Sequence, residues 1–582
     1  MSDARLFSRL SPPLTAWFSR TSERGILSPV DRALAASLVA LEEGVSREDL
    51  DVYAVSVALV SAASRDGHTL LDLGERASSP YLEDLPDGLP APSRWPRILA
   101  SVAGSPGRPA PVILEREGLY LNRHYHAEVR VAEAVARRLI RDRRGVPLRV
   151  FDPSAPNSLL DRFFPLAGSP SDPVNAGREA ARAALSRSLL LLTGGPGTGK
   201  TWTAARILAL HRSLFPGSRI VAAAPTGKAA ARMAEALSRA GFPGDPPPTM
   251  TLHRLLGAGR RGFARSLENP LDWDLVLVDE LSMVDLSLMD RLLVALPESS
   301  GLVLTGDRDQ LSSVGTGSVM SDLCATLQGS GGGSPEPGAL TVLTHNFRQS
   351  GSPGLQSFAA AVAAGDHARV LALLEKGEGG LSLLPAAPGS PLPLDPLRTG
   401  WEGLPIPSER DPSTLSLDSF MALTPLREGP AGSLAINRSL QGHLRRRQGS
   451  LPLASPVIIL ENSYETGLMN GDLGVLLQST LLVRKGGERI SLPARLAPRW
   501  DYAYAMTVHK SQGSEFDHVV LLVGALDHPL LTRSLLYTGA TRAKNRLTVW
   551  ASREILERMV RRPLERLSAL SERLGDLLYR PS

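Results

Sequence analysis

One short segment limits the fold of this chain more than any other part of the sequence. GGPGTGKT, residues 194–201, matches G-x-x-x-x-G-K-[ST] and lies between the strand-like run SLLLLT and the helix-like run WTAARILALHRSL. In that context the pattern predicts a phosphate-binding loop, because glycines let backbone N–H groups close around a phosphate and the helix N-terminus adds positive charge. The predicted loop consists of Gly194, Gly195, Pro196, Gly197, Thr198, Gly199, Lys200 and Thr201.

Polar side chains at the ends of two later strands complete a predicted ATP site. Lys200 is expected to neutralise the β- and γ-phosphates, and the hydroxyl of Thr201 to ligate Mg²⁺. LVLVDELSM places Asp279 and Glu280 at a strand end, where Asp279 is expected to hold the Mg²⁺ water shell and Glu280 to act as the base. A third strand ends in LTGDRDQL, whose Gln310 is placed to sense the γ-phosphate.

Short apolar strands alternate with helices from about residue 186 onwards. SLLLLTG, RIVAAAPT, LVLVDE and GLVLTGD are the strand-like runs, and helix-like segments separate them. Alternation of this kind predicts an α/β fold with doubly wound parallel sheets.

Length and composition describe a multidomain protein without a membrane span. The chain has 582 residues, too many for one core, and its formal net charge of +5 permits nucleic acid as a partner without arguing for it. A single cysteine rules out an internal disulfide. The N-terminus lacks the apolar run of a signal peptide, and no stretch is apolar for long enough to span a bilayer, so we expect a cytoplasmic protein.

Changes in the spacing of apolar residues along the sequence divide the chain into segments. Residues 1–115 are expected to be a helical module, 116–345 a first α/β lobe, and 346–582 a second one that carries a β insertion at about 440–500. GSGGGSPEPG (329–338) resembles a linker, and the proline-rich stretch 385–413 is expected not to pack as an element.

Seven motifs occur in the order found in superfamily 1 helicases. They are APTGKAAARMAEAL (224–237), TLHRLLG (251–257), DELSM, GDRDQL, HNFRQ (345–349), TVHKSQGSEFD (507–517) and LLYTGATRAK (535–544). LYLNRHYHAEVRVA, MALTPLREGPAGSLAIN and GLMNGDLGVLL lie outside these motifs. Together with the seven motifs, these segments resemble the RecD family, whose members are the alpha subunits of exodeoxyribonuclease V. The resemblance covers nearly the whole length of the chain.

The resemblance implies an architecture, an activity and partners. The fold would have two RecA-like P-loop lobes, a helical N-terminal domain that docks a partner, and a small SH3-like β insertion in the second lobe. The activity would be ATP-dependent 5′-to-3′ DNA helicase action on single-stranded or duplex-end DNA. The partners would be RecB and RecC in a heterotrimer, with the nuclease centre in RecB.

The resemblance also assigns residues. Arg348 and Arg542 occupy its two arginine-finger positions, and Gln512, Gly513 and Glu515 are expected to face the nucleotide. The predicted DNA contacts are Pro225, Thr226, Gly227, Thr251, His253, Thr507, His509 and Lys510. Hydroxyls and backbone amides at loop tips grip phosphates without reading sequence.

One position departs from the helicase pattern. Gly177 stands where superfamily 1 helicases commonly have a glutamine that reads the adenine edge. Either Asn175 or Arg178 replaces that contact or adenine selectivity is relaxed, and we expect a weaker preference for ATP over GTP than in relatives.

Two alternatives remain at the level of sequence. The first is a RecD-like helicase that works without RecB and RecC, although the helix–hairpin–helix repeats of such enzymes are not seen in the N-terminal segment. The second is a non-motor binding subunit whose ATP site only switches conformation, against which the intact Lys200, Glu280, Arg348 and Arg542 argue.

Overall fold

A computed structural model describes most of the chain. The described residues are 9–74, 80–82, 85–104, 110–145, 155–168, 172, 175–329, 336, 338–347, 352–402, 417–448, 454–463, 465–485, 488–563 and 566–579. Arg348, one of the predicted arginine fingers, lies outside them.

Nineteen helices and twenty-one strands are numbered here in chain order among the described residues. The helices are α1 (Pro12–Glu23), α2 (Pro29–Leu41), α3 (Arg47–Arg65), α4 (Trp95–Leu99), α5 (Asn122–Arg143), α6 (Ala155–Phe163), α7 (Ala176–Ser186), α8 (Lys200–Leu214), α9 (Gly227–Arg239), α10 (Leu252–Leu255), α11 (Leu286–Ala295), α12 (Val319–Leu327), α13 (Pro353–Ala364), α14 (His367–Lys376), α15 (Leu394–Glu402), α16 (Ser433–Gln448), α17 (Arg533–Ala540), α18 (Arg553–Arg561) and α19 (Leu570–Tyr579). The strands are β1 (Leu70–Asp72), β2 (Val112–Glu115), β3 (Gly118–Leu121), β4 (Leu189–Gly194), β5 (Ile220–Ala224), β6 (Thr249–Thr251), β7 (Ala258–Gly259), β8 (Gly262–Phe263), β9 (Leu275–Val278), β10 (Gly301–Gly306), β11 (Leu340–Leu343), β12 (Leu381–Pro385), β13 (Phe420–Thr424), β14 (Ala454–Ile459), β15 (Leu473–Leu477), β16 (Thr480–Lys485), β17 (Glu488–Pro493), β18 (Trp500–Tyr502), β19 (Ala505–Thr507), β20 (Phe516–Gly524) and β21 (Ala543–Ala551).

The N-terminal region combines helices with a small sheet. Ser28 and Asp31 form a capping box at the start of α2, and Ser46 caps α3. The helices share a core that includes the fully buried Trp17 and Trp95. Strands β1, β3 and β2 form an antiparallel sheet, so this region contains β structure besides the expected helices and its sheet extends across residue 115.

Two parallel sheets form the lobes of the molecule. The first has the strand order β11-β4-β10-β9-β5-β6, and the second has β12-β21-β20-β13-β19. Every pairing within both sheets is parallel. The predicted α/β class is therefore correct, and the carboxyl ends of neighbouring strands bring the motif loops together.

A five-stranded antiparallel sheet interrupts the second lobe. Its strand order is β17-β16-β15-β14-β18, and it lies in the chain between α16 and β19. Within the insertion, Val457, Ile459 and Leu481 are fully buried, so it has a small core of its own.

The prediction for the proline-rich stretch 385–413 was wrong in part. Helix α15 forms inside it, where Leu397 is fully buried and the indole N–H of Trp401 donates to the carbonyl of Tyr504 at 3.0 Å. Burial of Leu397 and the partly buried, hydrogen-bonded Trp401 outweigh the low helix content that proline predicts. Residues 403–413 lie outside the described residues.

The last helix returns to the first lobe. Leu570, Leu574 and Leu578 of α19 are buried in the core that holds β4, β9 and β10. The helix therefore packs with the first lobe although it lies in the sequence range expected for the second. In the part of the chain that the structure describes, no helix is both long enough and apolar enough to cross a membrane.

Candidate active site

The phosphate-binding loop leaves β4 and enters α8 in a conformation that needs glycine. Gly197 and Gly199 have φ angles of +78° and +81°, and a Cβ atom on Gly194 would lie 2.5 Å from the carbonyl oxygen of Leu343. The ammonium of Lys200 lies over the loop and donates to the carbonyls of Gly194 at 2.6 Å and Gly195 at 2.9 Å.

A hydroxyl and a carboxylate meet below the loop. The Thr201 hydroxyl donates to Oδ2 of Asp279 at 3.0 Å, and the Thr305 hydroxyl donates to Oδ1 of the same carboxylate. Oxygen donors of this kind suit Mg²⁺, which usually binds one or two carboxylates together with phosphate and water. The residues present therefore fit the magnesium ion that a phosphate-binding loop implies.

Glu280 is held in an unusual backbone conformation beside Asp279. Its φ angle is +56°, and its backbone N–H donates to Oδ1 of Asp279 at 2.9 Å. Left-handed backbone costs a residue with a side chain of order 1–3 kcal/mol and is common at functional sites. Burial, and then the neighbouring Asp279 carboxylate, raise the pKa of Glu280, while Lys200, Arg542 and Arg232 act in the opposite direction.

Both lobes line one cavity of about 680 Å³ above the loop. Its predicted lining residues are Pro196, Gly197, Gly199, Lys200, Thr201, Asp279, Glu280 and Gln310 from the first lobe and Glu515 and Arg542 from the second. The cavity is thus a cleft between the lobes, as the arrangement of the motifs predicts.

Arg542 points into this cleft from the end of α17. Its Nε donates to the carbonyl of Thr538 at 3.0 Å and its Nη1 to the carbonyl of Ser514 at 3.3 Å. Burial lowers the pKa of this guanidinium, and the carboxylates of Glu280 and Glu515 raise it. An arginine has a very high pKa in water, so it remains charged here.

Hydrogen bonds connect the lobes directly next to Gln310. The Gln310 amide donates to Asp307 at 2.9 Å, and the Tyr537 hydroxyl from the second lobe donates to the same carboxylate at 3.4 Å. The backbone N–H of Leu311 donates to the Thr538 hydroxyl at 2.8 Å. The segment that follows Gln310 is therefore held by both lobes.

The predicted TVHKSQGSEFD residues divide between two tasks. Glu515 lines the cavity and pairs with Arg232 of α9 at 3.1 Å. Gln512 instead donates to the carbonyl of Leu311 at 3.3 Å, so it bridges the lobes beside the cavity, and Gly513 supplies a turn with φ +73°. The remaining predicted loop residue Thr198 donates to the carbonyl of Gly195 at 2.8 Å.

Sequence reasoning missed six cavity residues. They are Trp202, Arg232, Glu235, Ala236, Arg239 and Phe347. Four of them lie on one face of α9, because their positions differ by three or four residues: Arg232, Glu235, Ala236 and Arg239. That face would be detectable from the sequence once a helix is assigned there. Trp202 follows Thr201 directly and Phe347 directly precedes Arg348, and both side chains are half exposed. No pattern in the sequence indicated that these two side chains line the cavity.

Neither candidate for reading the adenine edge lines the cavity. The Asn175 side chain accepts from the backbone N–H of Ala167 and donates to its carbonyl, at 3.0 and 2.8 Å. Arg178 donates to the carbonyl of Phe164 at 2.7 Å and pairs with Asp161 at 2.7 Å. Both side chains have structural partners, so the prediction of relaxed adenine selectivity stays open to test.

The predicted DNA contacts of the first lobe lie at helix starts. The Thr226 hydroxyl caps α9 by accepting from Ala229, and the Thr251 hydroxyl caps α10 by accepting from Arg254, both at 3.2 Å. Pro225 and Gly227 adjoin Thr226, and a Cβ on Gly227 would lie 3.1 Å from Met469 of the insertion. His253 is exposed with its ring 6.0 Å from that of Phe263, an aromatic neighbour that the sequence did not indicate.

The predicted contacts of the second lobe follow β19. The Thr507 hydroxyl accepts from the backbone N–H of Lys510 at 3.3 Å, and Lys510 is exposed. Burial and then the charge of Arg566 lower the pKa of His509, while burial and then Arg427 lower the pKa of Lys510. Both shifts favour the uncharged forms of these side chains, so the predicted phosphate contacts of this loop would depend on hydrogen bonds as well as on charge.

Models of three protein families match successive parts of the chain. The N-terminal domain of the RecBCD enzyme subunit RecD matches residues 23–120, the AAA domain matches 177–316, and the UvrD-like helicase C-terminal domain matches 502–550. The RecBCD enzyme subunit RecD of Mycobacterium tuberculosis is 35% identical over 95% of this chain and 96% of its own length. The chain belongs to the RecD family. The predicted family membership is confirmed.

Two other similarities complete the comparison of this RecD-family chain. The ATP-dependent RecD2 DNA helicase of Deinococcus radiodurans is 32% identical over 62% of this chain and 46% of its own length. The crystal structure of Bacteroides Pif1 bound to ssDNA aligns with a TM-score of 0.39 and 19% identity, over 67% of this chain and 94% of that one.

Proposed function

We propose that this RecD-family chain is an ATP-dependent DNA helicase that moves 5′ to 3′ along single-stranded DNA as the RecD subunit of a heterotrimer with RecB and RecC. The observation that carries the proposal is the cleft in which Lys200, Asp279 and Glu280 of one lobe face Glu515 and Arg542 of the other. A nucleotide bound there touches both lobes, so its hydrolysis changes how they are held together.

The roles of the cleft residues follow from their positions. Lys200 binds the β- and γ-phosphates, and Thr201 with Asp279 would hold Mg²⁺, which neutralises phosphate charge when bound. Glu280 accepts the proton of the attacking water, a role that its enclosed position and raised pKa support. Arg542 contributes positive charge to the transferred phosphoryl oxygens, and Arg348 is expected to supply a second guanidinium.

Coupling between hydrolysis and movement runs through Gln310. Its amide bonds Asp307, which Tyr537 also contacts, and Leu311 next to it bonds Thr538. A change at the γ-phosphate that moves Gln310 is therefore transmitted to α17 of the second lobe. Such a change shifts the loops that carry Thr226 and Thr251 relative to those that carry Thr507 and Lys510.

Stacking is the main way in which this cleft can hold a base. Trp202 is 46% exposed and Phe347 is 54% exposed, and both line the cavity. The Arg206 guanidinium lies 3.8 Å from the centre of the Trp202 ring, which fixes that ring. Every base has a π face, so stacking tolerates guanine as well as adenine.

The antiparallel insertion completes the proposed architecture as an SH3-like unit. Its Met469 touches Gly227 at the tip of the first-lobe DNA motif, so the insertion is close enough to border the path of the strand. The N-terminal region, with its own core, is proposed to dock RecC, and the nuclease centre is proposed to reside in RecB. Among the described residues no group of three or more His, Cys, Asp or Glu side chains could hold a metal ion.

Strand displacement tests the proposal. The substrates are duplexes with a 5′ or a 3′ single-stranded tail, unwound by the chain alone and by the chain purified with RecB and RecC. We expect ATP-dependent unwinding of the 5′-tailed duplex and its loss in Lys200→Gln. Unwinding by Lys200→Gln would refute the motor assignment, and equal activity of the isolated chain would favour a stand-alone helicase.

A further inference from the structure

The loop between β19 and β20 reaches the cleft with Glu515 and brings Ser514 beside it. Gly513, which precedes them, has a φ angle of +73°, a conformation that a residue with a side chain rarely adopts. The backbone N–H of Ser514 donates to the carbonyl of Ser511 at 2.8 Å, and Ser514 is buried. This tight turn holds the backbone of Ser514 in place.

The guanidinium of Arg542 is tied to this loop as well as to its own helix. Its Nε donates to the carbonyl of Thr538 at 3.0 Å and its Nη2 to the Thr541 hydroxyl at 3.4 Å, and both partners belong to the same helix end. Its Nη1 donates to the carbonyl of Ser514 at 3.3 Å. Because Ser514 lies on another element, this contact sets the direction in which the guanidinium points.

Helix α9 of the first lobe holds the same two loop residues from the opposite side. The ammonium of Lys228 donates to the hydroxyl of Ser514, and the guanidinium of Arg232 pairs with the carboxylate of Glu515 at 3.1 Å. Lys228 and Arg232 are four residues apart, so they lie on one face of the helix. One helix face of the first lobe therefore grips two consecutive residues of the second.

The two basic side chains differ in their relation to a bound nucleotide. Arg232 lines the cavity, whereas Lys228 is not among the lining residues of the described chain. A nucleotide can therefore touch Arg232 directly, but Lys228 reaches the reacting groups through Ser514. Helix α9 is a firm support for this contact, because its Met233 and Leu237 are fully buried in the first lobe.

We propose that Lys228 is a positioning residue for Arg542, which it directs toward the transferred phosphoryl group by holding Ser514. The inference rests on the proposed function, in which Arg542 acts on the phosphoryl oxygens. Lys228 belongs to the first lobe, whereas Ser514 and Arg542 belong to the second. Arg542 is therefore correctly placed only while the two lobes are closed on each other, and hydrolysis depends on that closure.

Steady-state ATP hydrolysis by the full-length chain at saturating oligothymidine tests the role of Lys228. We expect kcat to fall about tenfold in Lys228→Met, because a small displacement of a charged group at the reacting atoms is costly. The KM for ATP should stay within about twofold of the wild type, since Lys228 does not line the cavity. Lys228→Arg keeps a donor and should recover part of the loss. The control is Lys376→Met, which changes an exposed lysine of α14 and should hydrolyse like the wild type.

Double variants show whether Lys228 acts through Ser514 and Arg542. Arg542→Ala alone should lower kcat by about 10³-fold, and adding Lys228→Met should lower it little further, because the group that Lys228 positions is already absent. Ser514→Ala removes the hydroxyl and keeps the carbonyl, so it should reproduce most of the Lys228→Met loss. The Lys228→Met, Ser514→Ala double variant should lose no more than Lys228→Met. Ser514→Ala also tests the contact if Lys228→Met folds poorly.

Four outcomes decide against the inference. Wild-type kcat in Lys228→Met or in Ser514→Ala overturns it. A further tenfold loss from Lys228→Met in the Arg542→Ala background shows that Lys228 does not act through Arg542. A higher oligothymidine concentration at half-saturation with unchanged kcat would make Lys228 a DNA contact instead. If the wild type itself does not hydrolyse ATP in the presence of the oligothymidine, the proposed function fails first.

Discussion

At the residue scale, the decisive group is an enclosed carboxylate beside a second one. Burial and the Asp279 charge raise the pKa of Glu280, so its carboxylate is a stronger base than an exposed glutamate. We expect Glu280→Gln to bind nucleotide normally and to lower turnover by about 10²- to 10⁴-fold, since the phosphate and Mg²⁺ ligands remain. Nucleotide binding by fluorescence titration and steady-state hydrolysis measure the two effects separately.

The matched control is Glu235→Gln, which changes another carboxylate of the same cavity. It should leave turnover close to that of the wild type. Unchanged hydrolysis in Glu280→Gln would show that the base is misassigned.

The pH dependence of turnover follows from the same shift. The base works only when ionised, so turnover should fall as the pH drops through the raised pKa of Glu280. The acidic limb is therefore expected above 4.5, the ordinary value for glutamate. A pH–rate profile measured at saturating ATP checks this, and the limb should be absent from the residual activity of Glu280→Gln.

Base selectivity is also decided by single residues. With Gly177 at the usual glutamine position and Asn175 and Arg178 engaged elsewhere, we expect stacking on Trp202, which lines the cavity, to carry base binding. We expect similar kcat/KM values for ATP and GTP, and a rise of about tenfold in both KM values in Trp202→Ala. Trp202→Phe keeps a stacking face and should recover most of the loss. A large preference for ATP in side-by-side hydrolysis assays would contradict the prediction.

Many residues of the site were predictable because they lie in short, contiguous sequence patterns. The loop of residues 194–201, Asp279 and Glu280 lie in short patterns whose flanking strands and helices are readable from the sequence. Trp202 and Thr538 were not predictable as site residues, because their roles depend on which surface of one lobe meets the other. Sequence spacing contains no information on that contact until the fold is known.

At the scale of elements, helix α9 joins the two lobes. Its Lys228 bonds the hydroxyl of Ser514, and its Arg232 pairs with Glu515. Burial, and then the charge of Arg232, lower the pKa of Lys228 to about 8. The sequence marked residues 224–237 as a helicase motif, and the structure shows that most of this motif lies in α9 (Gly227–Arg239), with Lys228 and Arg232 one turn apart on the face toward the second lobe.

This lowered pKa makes a stability prediction with a definite sign. The folded-state pKa lies below the unfolded value of 10.5, so the contribution of Lys228 to stability is full above about pH 10.5 and is lost as the pH falls through about 8. Lys228→Met removes the amine, so the variant should lose more stability relative to the wild type at high pH than at neutral pH. The melting temperature of the variant relative to the wild type should drop by about 3 to 6 °C between pH 7 and pH 10.

Lys376→Met supplies the control for this comparison. Its side chain is 66% exposed on α14, so Lys376→Met replaces a solvated ammonium and should alter the melting temperature little. Parallel behaviour of the two variants would mean that Lys228 is solvated and that α9 does not close against the second lobe as described.

At the scale of the whole molecule, the order of segments along the chain does not match their packing. The change from helical segments to strands that alternate with helices predicted the positions of the two α/β lobes in the sequence. It could not show that α19 returns to the first lobe. The leucines of α19 repeat at helical spacing like those of any amphipathic helix, and such a pattern predicts a buried face without naming the surface that covers it. The same limit applies to α15, whose anchoring Trp401 packs 5.4 Å from Phe420.

The return of α19 makes the stability of the first lobe depend on the end of the chain. Leu574 is fully buried in the first-lobe core, whereas Leu577 on the same helix is 45% exposed. Leu574→Ala should lower the free energy of unfolding of the first lobe by about 2 to 5 kcal/mol, through lost burial and the cavity that remains. Leu577→Ala should change it by less than about 0.5 kcal/mol.

Differential scanning calorimetry with and without ATP measures the effect, and we expect the largest shift on addition of ATP in the transition of the lobe that carries the phosphate-binding loop, which supplies most of the cavity residues. The Leu574→Ala effect should appear in the ATP-sensitive transition that contains the phosphate-binding loop. Equal effects of the two leucine variants would mean that α19 is held only loosely.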